Sequence, residues 1–452
     1  MASICTSNVT SGFIDLATFD EIEKYLYGGP DATAYFVRET RKSTWFTQVP
    51  VVLSRASGSP AFGQEWSVSV SRAGDYLLHT WLRVQTPQLK SSSDTVGVAW
   101  TTNLMHNLIR ECCITFNDLV AARFDNYHLD FWTAFTVPAS KRNGYNNMIG
   151  NIGELTTPVN NTAGAVIPSA TLNLPLPFFY CRDSGVALPT AALPYNEMRI
   201  NFAFREWTDL VVKAADAINS PAEAATAADL DGGAPPVLGV TQVWADYAIV
   251  SNDERKRMAC APRDILIEQV QTAPRQAFTP ATNKQQSFDI RFSHAIKVLF
   301  FSVRNTTVKS MWSNYTTATP ERKSAGAELV NNGKDPISQT SLIYENTNRL
   351  AQMGSDYFSL VNPYFHAPTI PEDTGFHMYS YSLDFMCLDP MGSTNFGKLT
   401  NVSIVPEASN AASIAAAPEE QGAIAQKFEF IVTAVNNNIV RISGGALGFP
   451  VL

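Results

Sequence analysis

One short pattern occurs twice in this chain. Residues 179–183 read FYCRD and residues 385–389 read FMCLD, so the two cysteines lie 206 positions apart. Each copy precedes a glycine and then an alternating apolar run, which starts at Asn196 in the first half and at Asn401 in the second. The shared order and nearly constant offset predict two copies of one β module, because repetition in sequence reports repeated architecture. We name residues 179–183 and 385–389 the first and second signatures.

A third, weaker match lies upstream of the signatures. His106 and His294 each open a strand-like stretch, with an offset of 188 positions. We expect the strands that follow these two histidines to be equivalent in the two modules.

Apolar and polar residues alternate along five stretches. A period of two predicts strands that turn one face to a core and the other to solvent. These stretches are residues 66–71, 197–204, 288–292, 379–385 and 428–434. Three long connections of low hydrophobicity separate such strands and are predicted to project outward. They are residues 209–239, 309–336 and 406–424.

Two helices are predicted in the first half. Near the start, Thr18 and Glu21 have the spacing of a capping box, and residues 28–30 (GGP) would end the helix. Its apolar face, which needs a partner, would consist of Phe19, Ile22, Tyr25 and Leu26. Further on, apolar residues keep helical spacing from Phe124 to Phe135 until Pro138 closes the segment.

The domain boundary is predicted near the middle of the chain. A strand over residues 242–251 is followed by a short helix over residues 253–261, which Pro262 ends. A length of 452 residues suits two large β modules, since all-β domains often exceed ~200 residues. The predicted division is an arm at 1–30, module one at 31–251, a linker at 252–262 and module two at 263–452.

Charge is scarce for a chain of this size. Asp, Glu, Lys and Arg make up 16% of the residues and the net charge is -8, whereas about 25% is usual. Because the centres of protein interfaces are depleted in charge, we expect much of the surface to be covered by other subunits. The acidic balance argues against nucleic-acid binding, and the basic cluster at 255–257 follows two acidic residues, as in a solvated helix.

The cysteines and the apolar runs bear on the compartment. No apolar run approaches the ~18 residues of a membrane span, and the first ten residues lack the pattern of a signal peptide. We therefore expect a cytosolic protein with reduced, mostly buried thiols. The six cysteines are at positions 5, 112, 113, 181, 260 and 387.

The sequence predicts no catalytic residue, no cofactor and no metal site. Residues 392–398 (GSTNFGK) have the spacing of a phosphate-binding loop, but Leu399 follows where Ser or Thr is needed, and the next residues alternate like a strand. The six histidines are widely separated, and no Gly-x-Ser-x-Gly elbow is present. The possibility of a carboxylate pair for glycoside cleavage stays open, since the separation of the two groups in space cannot be read from the sequence.

Five sequons for N-glycosylation are present. Without a signal peptide, those at Asn8, Asn160, Asn305, Asn314 and Asn401 are interpreted as ordinary turn residues.

Several ordered stretches resemble the major capsid protein family of iridoviruses, within the nucleocytoplasmic large DNA viruses. The resemblance runs from Ser11 to Leu452 and is strongest to members from invertebrate-infecting viruses. The stretches that carry it are residues 11–15, 71–76, 174–185, 193–197, 343–347, 389–395, 438–442 and 448–450.

This resemblance implies an all-β double jelly roll: two eight-stranded antiparallel β-sandwiches in tandem, with short helices and long loop insertions. It also implies homotrimers whose six jelly rolls form a pseudo-hexagonal capsomer, and capsomers that tile an icosahedral virion shell over an inner membrane. The expected partners are the chain itself, neighbouring capsomers, minor capsid proteins beneath the shell and membrane-associated proteins, with assembly in the host cytoplasm. The helix stripe of the arm is then expected to pack at the capsomer base on its own or a neighbouring jelly roll.

Two other functions fit a β-sandwich. The long loops suit a glycan-binding or receptor-binding surface protein, and this role is compatible with a capsid subunit. An enzyme has only the unplaced carboxylates in its favour. We expect the structural role, with no active site.

Overall fold

A computed structural model describes residues 2–215, 217–322 and 329–450, with the side chains of residues 2–5 left aside. The chain divides into two units, Met1–Trp45 and Phe46–Leu452. Part of the predicted connection at 309–336, residues 323–328, lies outside the described residues.

The helix of the N-terminal unit is not where the capping box predicted it. Helix α1 covers Ala2–Ala17, and only a 3-10 turn, Glu23–Tyr25, follows it. The Thr18 hydroxyl donates to the Asp15 carbonyl at 2.6 Å, so Thr18 closes the preceding helix instead of capping a new one. The amide of Glu21 donates to the Asp20 side chain at 2.7 Å, which satisfies it without a capping box.

The predicted apolar stripe of the arm does not pack within the N-terminal unit. Phe19, Ile22, Tyr25 and Leu26 are between 49% and 94% exposed. Packing of the stripe on its own or a neighbouring jelly roll stays a prediction.

The first eight main strands follow the arm. Their bounds are β1 Phe46–Val52, β2 Glu65–Ser69, β3 Tyr76–Gln85, β4 Ile109–Phe116, β5 Leu119–Phe124, β6 Thr171–Pro175, β7 Met198–Phe204 and β8 Thr241–Val250. They form two antiparallel sheets, with strand orders β1-β8-β3-β6 and β2-β7-β4-β5. The short strand Ser54–Gly58 extends the second sheet beside β2.

The second eight main strands repeat this order. Their bounds are β9 Arg263–Thr272, β10 Phe288–Asp289, β11 Ala295–Asn305, β12 Ile337–Tyr344, β13 Thr347–Gly354, β14 His377–Ser380, β15 Val402–Ala408 and β16 Phe428–Ser443. The sheets run β9-β16-β11-β14 and β10-β15-β12-β13. Each strand of the second set therefore has the neighbours of the strand eight places earlier, which makes the two modules two jelly rolls of the same topology.

The signatures mark equivalent places in the two jelly rolls. The first lies between β6 and β7, and the second lies between their counterparts β14 and β15. Both following strands alternate strictly between buried and half-buried residues, as their period of two predicted. The double repeat is thus confirmed. The third match is wrong, because His106 precedes β4 whereas His294 precedes β11, the counterpart of β3.

Two predicted strands are shorter than their sequence alternation. Strand β10 ends at Asp289, and β14 ends at Ser380 instead of continuing to residue 385. After β14 the side chains of Ser380 and Ser382 donate to nearby backbone carbonyls at 2.8 and 3.3 Å. Such local bonds hold the chain in turns and compete with the sheet ladder.

Seven further α-helices lie between the strands in the described part of the chain. They are α2 Leu104–Leu108, α3 Asn126–Thr136, α4 Ala139–Ile149, α5 Gly153–Thr156, α6 Asn252–Cys260, α7 Asn362–His366 and α8 Asn410–Ala416. Helix α3 confirms the helix predicted before Pro138, and α6 joins β8 to β9 as predicted. The connections hold further short strands: Val98–Trp100, Val211–Lys213, Glu223–Ala224, Gln276–Phe278, Glu321–Arg322, Leu329–Val330, Thr394–Asn395 and Ala446–Gly448.

Helix α3 belongs to the first jelly roll by sequence but packs on the second. Phe131 is fully buried, stacks on Phe300 of β11 with 6.2 Å between ring centroids, and meets Phe376 edge to face at 6.0 Å. Phe135 stacks on the same Phe300 ring at 5.4 Å. We name the region between the two jelly rolls the seam. The aromatic face of α3 fills the seam by packing on apolar side chains of the second jelly roll.

Replacing Phe131 by Ala is expected to destabilise the whole unit. The change removes a fully buried ring of α3 that packs on the second jelly roll, which typically costs about 3–5 kcal/mol. Thermal and denaturant unfolding would measure the loss. The control Leu119→Ala removes a side chain that is 43% exposed and should change little; equal effects of the two variants would contradict this account.

Candidate functional site: the seam and its loops

Both signatures meet at one buried carboxylate. Glu268 on β9 accepts from the Nζ of Lys297 on β11 at 2.6 Å and from the guanidinium of Arg182 in the first signature. Lys297 also donates to the carbonyl of Cys387 in the second signature at 2.8 Å. The side chains of Lys297 and Glu268 are 0% and 5% exposed. Glu268 thus ties together two sequence elements that lie 206 positions apart.

The ion cluster holds more positive than negative charge. One carboxylate faces two cations, and burial lowers the pKa of Arg182 while the charge of Glu268 opposes that change. The Arg182 guanidinium also lies over the Trp132 ring of α3, 4.0 Å from its centroid. A cation on an aromatic face recovers part of the solvation that burial removes.

A second buried carboxylate links α3 to the second jelly roll. Asp130 accepts from the hydroxyls of Ser313 at 2.9 Å and Tyr315 at 2.7 Å. It also accepts from His106 Nδ1 at 2.8 Å, while His106 Nε2 accepts from Tyr145 at 2.6 Å. Burial raises the pKa of both tyrosines, so both hydroxyls keep their protons. The network resembles a catalytic triad only in residue types, because each member is already bonded to another and none is exposed.

Trp312 carries a third contact across the seam. The guanidiniums of Arg205, after β7, and Arg304, on β11, lie 3.5 and 4.0 Å from its ring centroid. Burial lowers the pKa of Arg205 to about 10. The Nη2 of Arg205 donates to the Asn126 side chain of α3 at 2.8 Å. The guanidinium charge is therefore stabilised by the Trp312 ring and by the side-chain amide of Asn126.

The three predicted long connections come together at one surface. The Asn219 amide donates to the Arg322 carbonyl at 2.7 Å, and Ala222 donates to Pro320 at 2.8 Å, which joins the first connection to the second. A cavity of about 890 Å³ is lined by residues of all three connections. The third connection is partly regular, since it contains α8.

The rejected phosphate loop is part of the sheet. Thr394 and Asn395 pair with β11, and the Asn395 side chain accepts from the Gly397 amide at 2.9 Å within a turn. Among the described residues, no group of three or more His, Cys, Asp or Glu side chains could hold a metal ion. None of the described helices is long and apolar enough to cross a membrane.

The thiols are less buried than the composition predicted. Of the five described cysteines, Cys112 is buried and Cys260 on α6 is exposed, while the others are half-buried. Cys112 and Cys113 face opposite sides of β4, as neighbours on a strand do. The expectation of mostly buried thiols is wrong, because only Cys112 of these five is buried and α6 turns Cys260 outward.

The role of the basic cluster at 255–257 differs from the solvated helix predicted from its charges. Arg255 forms two bonds to the Asp75 carboxylate, at 2.8 and 3.0 Å, and Asp75 also accepts from the Val250 amide at 3.0 Å. Helix α6 is therefore fixed to the first jelly roll. The sequence gives no signal for this contact, because the burial of Asp75 is visible only in the structure.

Comparison with known proteins decides the family. A family model described as "Major capsid protein N-terminus" matches residues 34–250, and one described as "Large eukaryotic DNA virus major capsid protein" matches residues 254–448. The major capsid protein of Costelytra zealandica iridescent virus is 66% identical, with both chains covered completely. The chain belongs to the iridovirus major capsid protein family. The family predicted from the sequence motifs is confirmed.

Other relatives agree with this family. The major capsid proteins of Tipula iridescent virus and of Lymphocystis disease virus 1 are 66% and 52% identical, over 98% and 100% of this chain and the same shares of theirs. This chain is a structural component of the capsid of a large DNA virus, and its homologues are not enzymes. The glycan-binding alternative is not favoured.

Solved structures confirm the fold. The capsid protein in the quasi-atomic model of the PBCV-1 virus capsid superposes with a TM-score of 0.72 at 20% identity, over 93% of this chain and 100% of that one. The Faustovirus major capsid protein superposes with a TM-score of 0.71 at 11% identity, over 91% and 93% of the two chains. The double jelly roll predicted from the sequence is therefore correct.

Removing the Glu268 charge is expected to be strongly destabilising. In Glu268→Gln, Arg182 and Lys297 stay buried without a counter-charge, and breaking such a buried pair costs about 3–5 kcal/mol. The free energy of unfolding would report it. The matched control is Asp264→Asn on the same strand, which removes an exposed pair with Arg441 and should have little effect. A small loss at Glu268 would show that water or relaxation replaces the carboxylate.

Acid is expected to destabilise the seam through His128. Burial first, and then the charge of Arg182, lower the pKa of His128 to about 3, and its Nδ1 has no bonding partner among the described residues. In the unfolded chain the His pKa is about 6.5, so between pH 6.5 and pH 3 the unfolded chain binds a proton that the folded chain does not bind. The stability contribution is therefore complete above pH 6.5 and is lost as the pH falls toward 3, by about 1.4 kcal/mol per pH unit.

Unfolding midpoints measured from pH 7 to pH 4 would test this dependence. The variant His128→Phe removes the titrating ring and should show a shallower slope than the unmodified chain. His79→Phe, at an exposed position, is the control. Parallel slopes for the unmodified chain and His128→Phe would contradict the assignment.

Proposed function

We propose that three copies of this chain form a capsomer in which six jelly rolls occupy the corners of a pseudo-hexagon that tiles an icosahedral shell. The observation that carries the proposal is the matching strand order of β1–β8 and β9–β16. Two modules of one topology with unequal edges can provide the different patches that a closed three-fold ring requires. The scarcity of charge supports extensive burial between subunits.

The three-fold assembly requires a fixed geometry within each chain. If the two jelly rolls turned freely, three chains could not place six modules at regular corners. The contacts of Glu268, Asp130 and Trp312 supply that rigidity, because each joins side chains from both halves. We assign the seam the function of setting the angle between the modules.

We further propose the domain division at residues 31–251, 252–262 and 263–452, after an arm at 1–30. The two family models meet between residues 250 and 254, and the main strands fall on either side of α6. Minor capsid proteins beneath the shell, and membrane-associated proteins of the inner viral membrane, are the proposed partners of the assembled capsomers. Assembly is proposed to take place in the host cytoplasm.

Purified protein is expected to behave as a trimer. Light scattering or mass photometry should give three times the chain mass of 49.5 kDa, and the value should persist on dilution to nanomolar concentration. A persistent monomer would overturn the proposed capsomer.

The arm is expected to pack on a neighbouring chain. Its exposed apolar side chains include Ile22 at 75% and Tyr25 at 94%, and exposed apolar groups of this density mark interfaces. The double variant Ile22→Asp, Tyr25→Asp should dissociate into monomers at higher concentration than the unmodified chain while keeping its unfolding temperature. The control Asp31→Asn changes an exposed polar residue of the same N-terminal unit, next to the arm. Equal dissociation of both variants would exclude this contact.

A further inference from the structure

We propose that the first jelly roll contains a binding site for a single-chain amphiphile with one negative charge, such as a fatty-acid anion. The site is a cavity of about 820 Å³ between the outer side of β3 and β6 and the helices α3 and α4. Residues of both signatures, Arg182 and Met386, line one part of it. A cavity of this size suits one small amphiphile. The proposal is independent of the capsomer symmetry.

The walls are apolar even where the residue types are polar. Leu129, Trp132 and Leu176 contribute apolar surface. Thr133 and Thr136 of α3 donate their hydroxyls to the carbonyls of Leu129 and Trp132, at 2.9 and 2.5 Å. Since these hydroxyls are already bonded within the helix, the two threonines offer no free donor to a ligand.

The mouth of the cavity is open to solvent in the single chain. His79 and Pro175 are exposed, and Met148 of α4 is 39% exposed. Leu129 and Leu176, by contrast, are 1% and 2% exposed. An elongated apolar molecule can therefore enter past Met148 and lie against buried side chains.

Arg182 supplies the charge that selects an anion. Its Nη2 is bonded to Glu268, but the only acceptor of its Nη1 among the described residues is the Met386 sulfur at 3.9 Å. Glu268 is shared with Lys297, so the cluster carries two positive charges and one negative charge. A carboxylate at Arg182 would neutralise the excess and give Nη1 a strong acceptor.

The same charge excludes the other amphiphiles. A cation would add a third positive charge to a site that is 18% exposed at Arg182 and 0% exposed at Lys297. A neutral alcohol would gain the apolar contact but leave the excess charge unpaired. A two-chain phospholipid is larger than the drug-sized ligands that cavities of this volume hold.

Calorimetric titration of the full-length protein, in its assembled form as purified, tests the proposal. The probes are decanoate, 1-decanol and decylammonium, which share one tail and differ in charge, each below its micelle concentration or solubility limit. Decanoate should bind one equivalent per chain, roughly tenfold more tightly than 1-decanol, and decylammonium should bind most weakly. Vesicles of phosphatidylglycerol serve as a further arm, in which the anion belongs to a lipid bilayer.

Two variants locate the binding. Arg182→Gln should reduce decanoate affinity to that of 1-decanol, whereas Arg199→Gln, on β7 and in an exposed pair with Glu197, should leave both unchanged. Met148→Trp narrows the mouth and should weaken both decanoate and 1-decanol. If Arg182→Gln does not fold, the comparison of the three probes on the unmodified chain still tests whether the site selects an anion.

Four outcomes would overturn the proposal. They are no saturable binding, equal or tighter binding of 1-decanol, decanoate binding that survives Met148→Trp unchanged, and binding of the vesicles in preference to free decanoate. The last result would indicate a membrane surface instead of a cavity. Charge-selective, saturable binding of decanoate that both variants weaken would establish the site.

Discussion

The buried carboxylate of Glu268 is the contact on which the relation of the two jelly rolls depends. It accepts from Lys297 and Arg182, and through Lys297 it reaches the backbone of Cys387. A buried charge tolerates little displacement of its partners, because the desolvation of each ion is repaid only at short range. The hydrophobic core of the first jelly roll includes Ile265 and Ile267 of β9, so apolar packing already joins the two modules. The polar contacts fix how the modules are placed.

The apolar contacts of the seam also hold the two jelly rolls together. Helix α3 lies in the connection between β5 and β6 of the first jelly roll, yet its rings pack on Phe300 and Phe376 of the second. Apolar burial gives most of the stabilisation and is not directional. The directional bonds of Asp130 and Glu268 select one arrangement among those that would bury the same rings. A capsid subunit needs that selection, since small errors in angle accumulate across a shell.

The sequence pattern correctly predicted those helices and strands whose conformation depends mainly on their own residues. The alternation in β7 gave its bounds closely, that in β15 gave its start, and the helical spacing before Pro138 gave α3. The end of β15 was predicted as part of a long connection. Prediction was wrong where side chains bond to nearby backbone, as at Ser380 and Thr18. The repeat was correctly assigned at the signatures, where several positions match, and wrongly assigned at the histidines, where β4 and β11 share only a local resemblance. The seam residues could not be predicted, since Arg182, Glu268 and Lys297 are far apart in sequence.

The sequence by itself determined the two β modules, the family and the absence of a recognisable catalytic motif, because periodicity and motifs are properties of neighbouring residues. Tertiary structure alone decided what the repeated signatures do. Their cysteines are half-buried, and the important groups are the Arg182 side chain in one copy and the Cys387 carbonyl in the other. They meet because both jelly rolls place the same connection toward the seam, where a single buried carboxylate must be surrounded by cations to be stable.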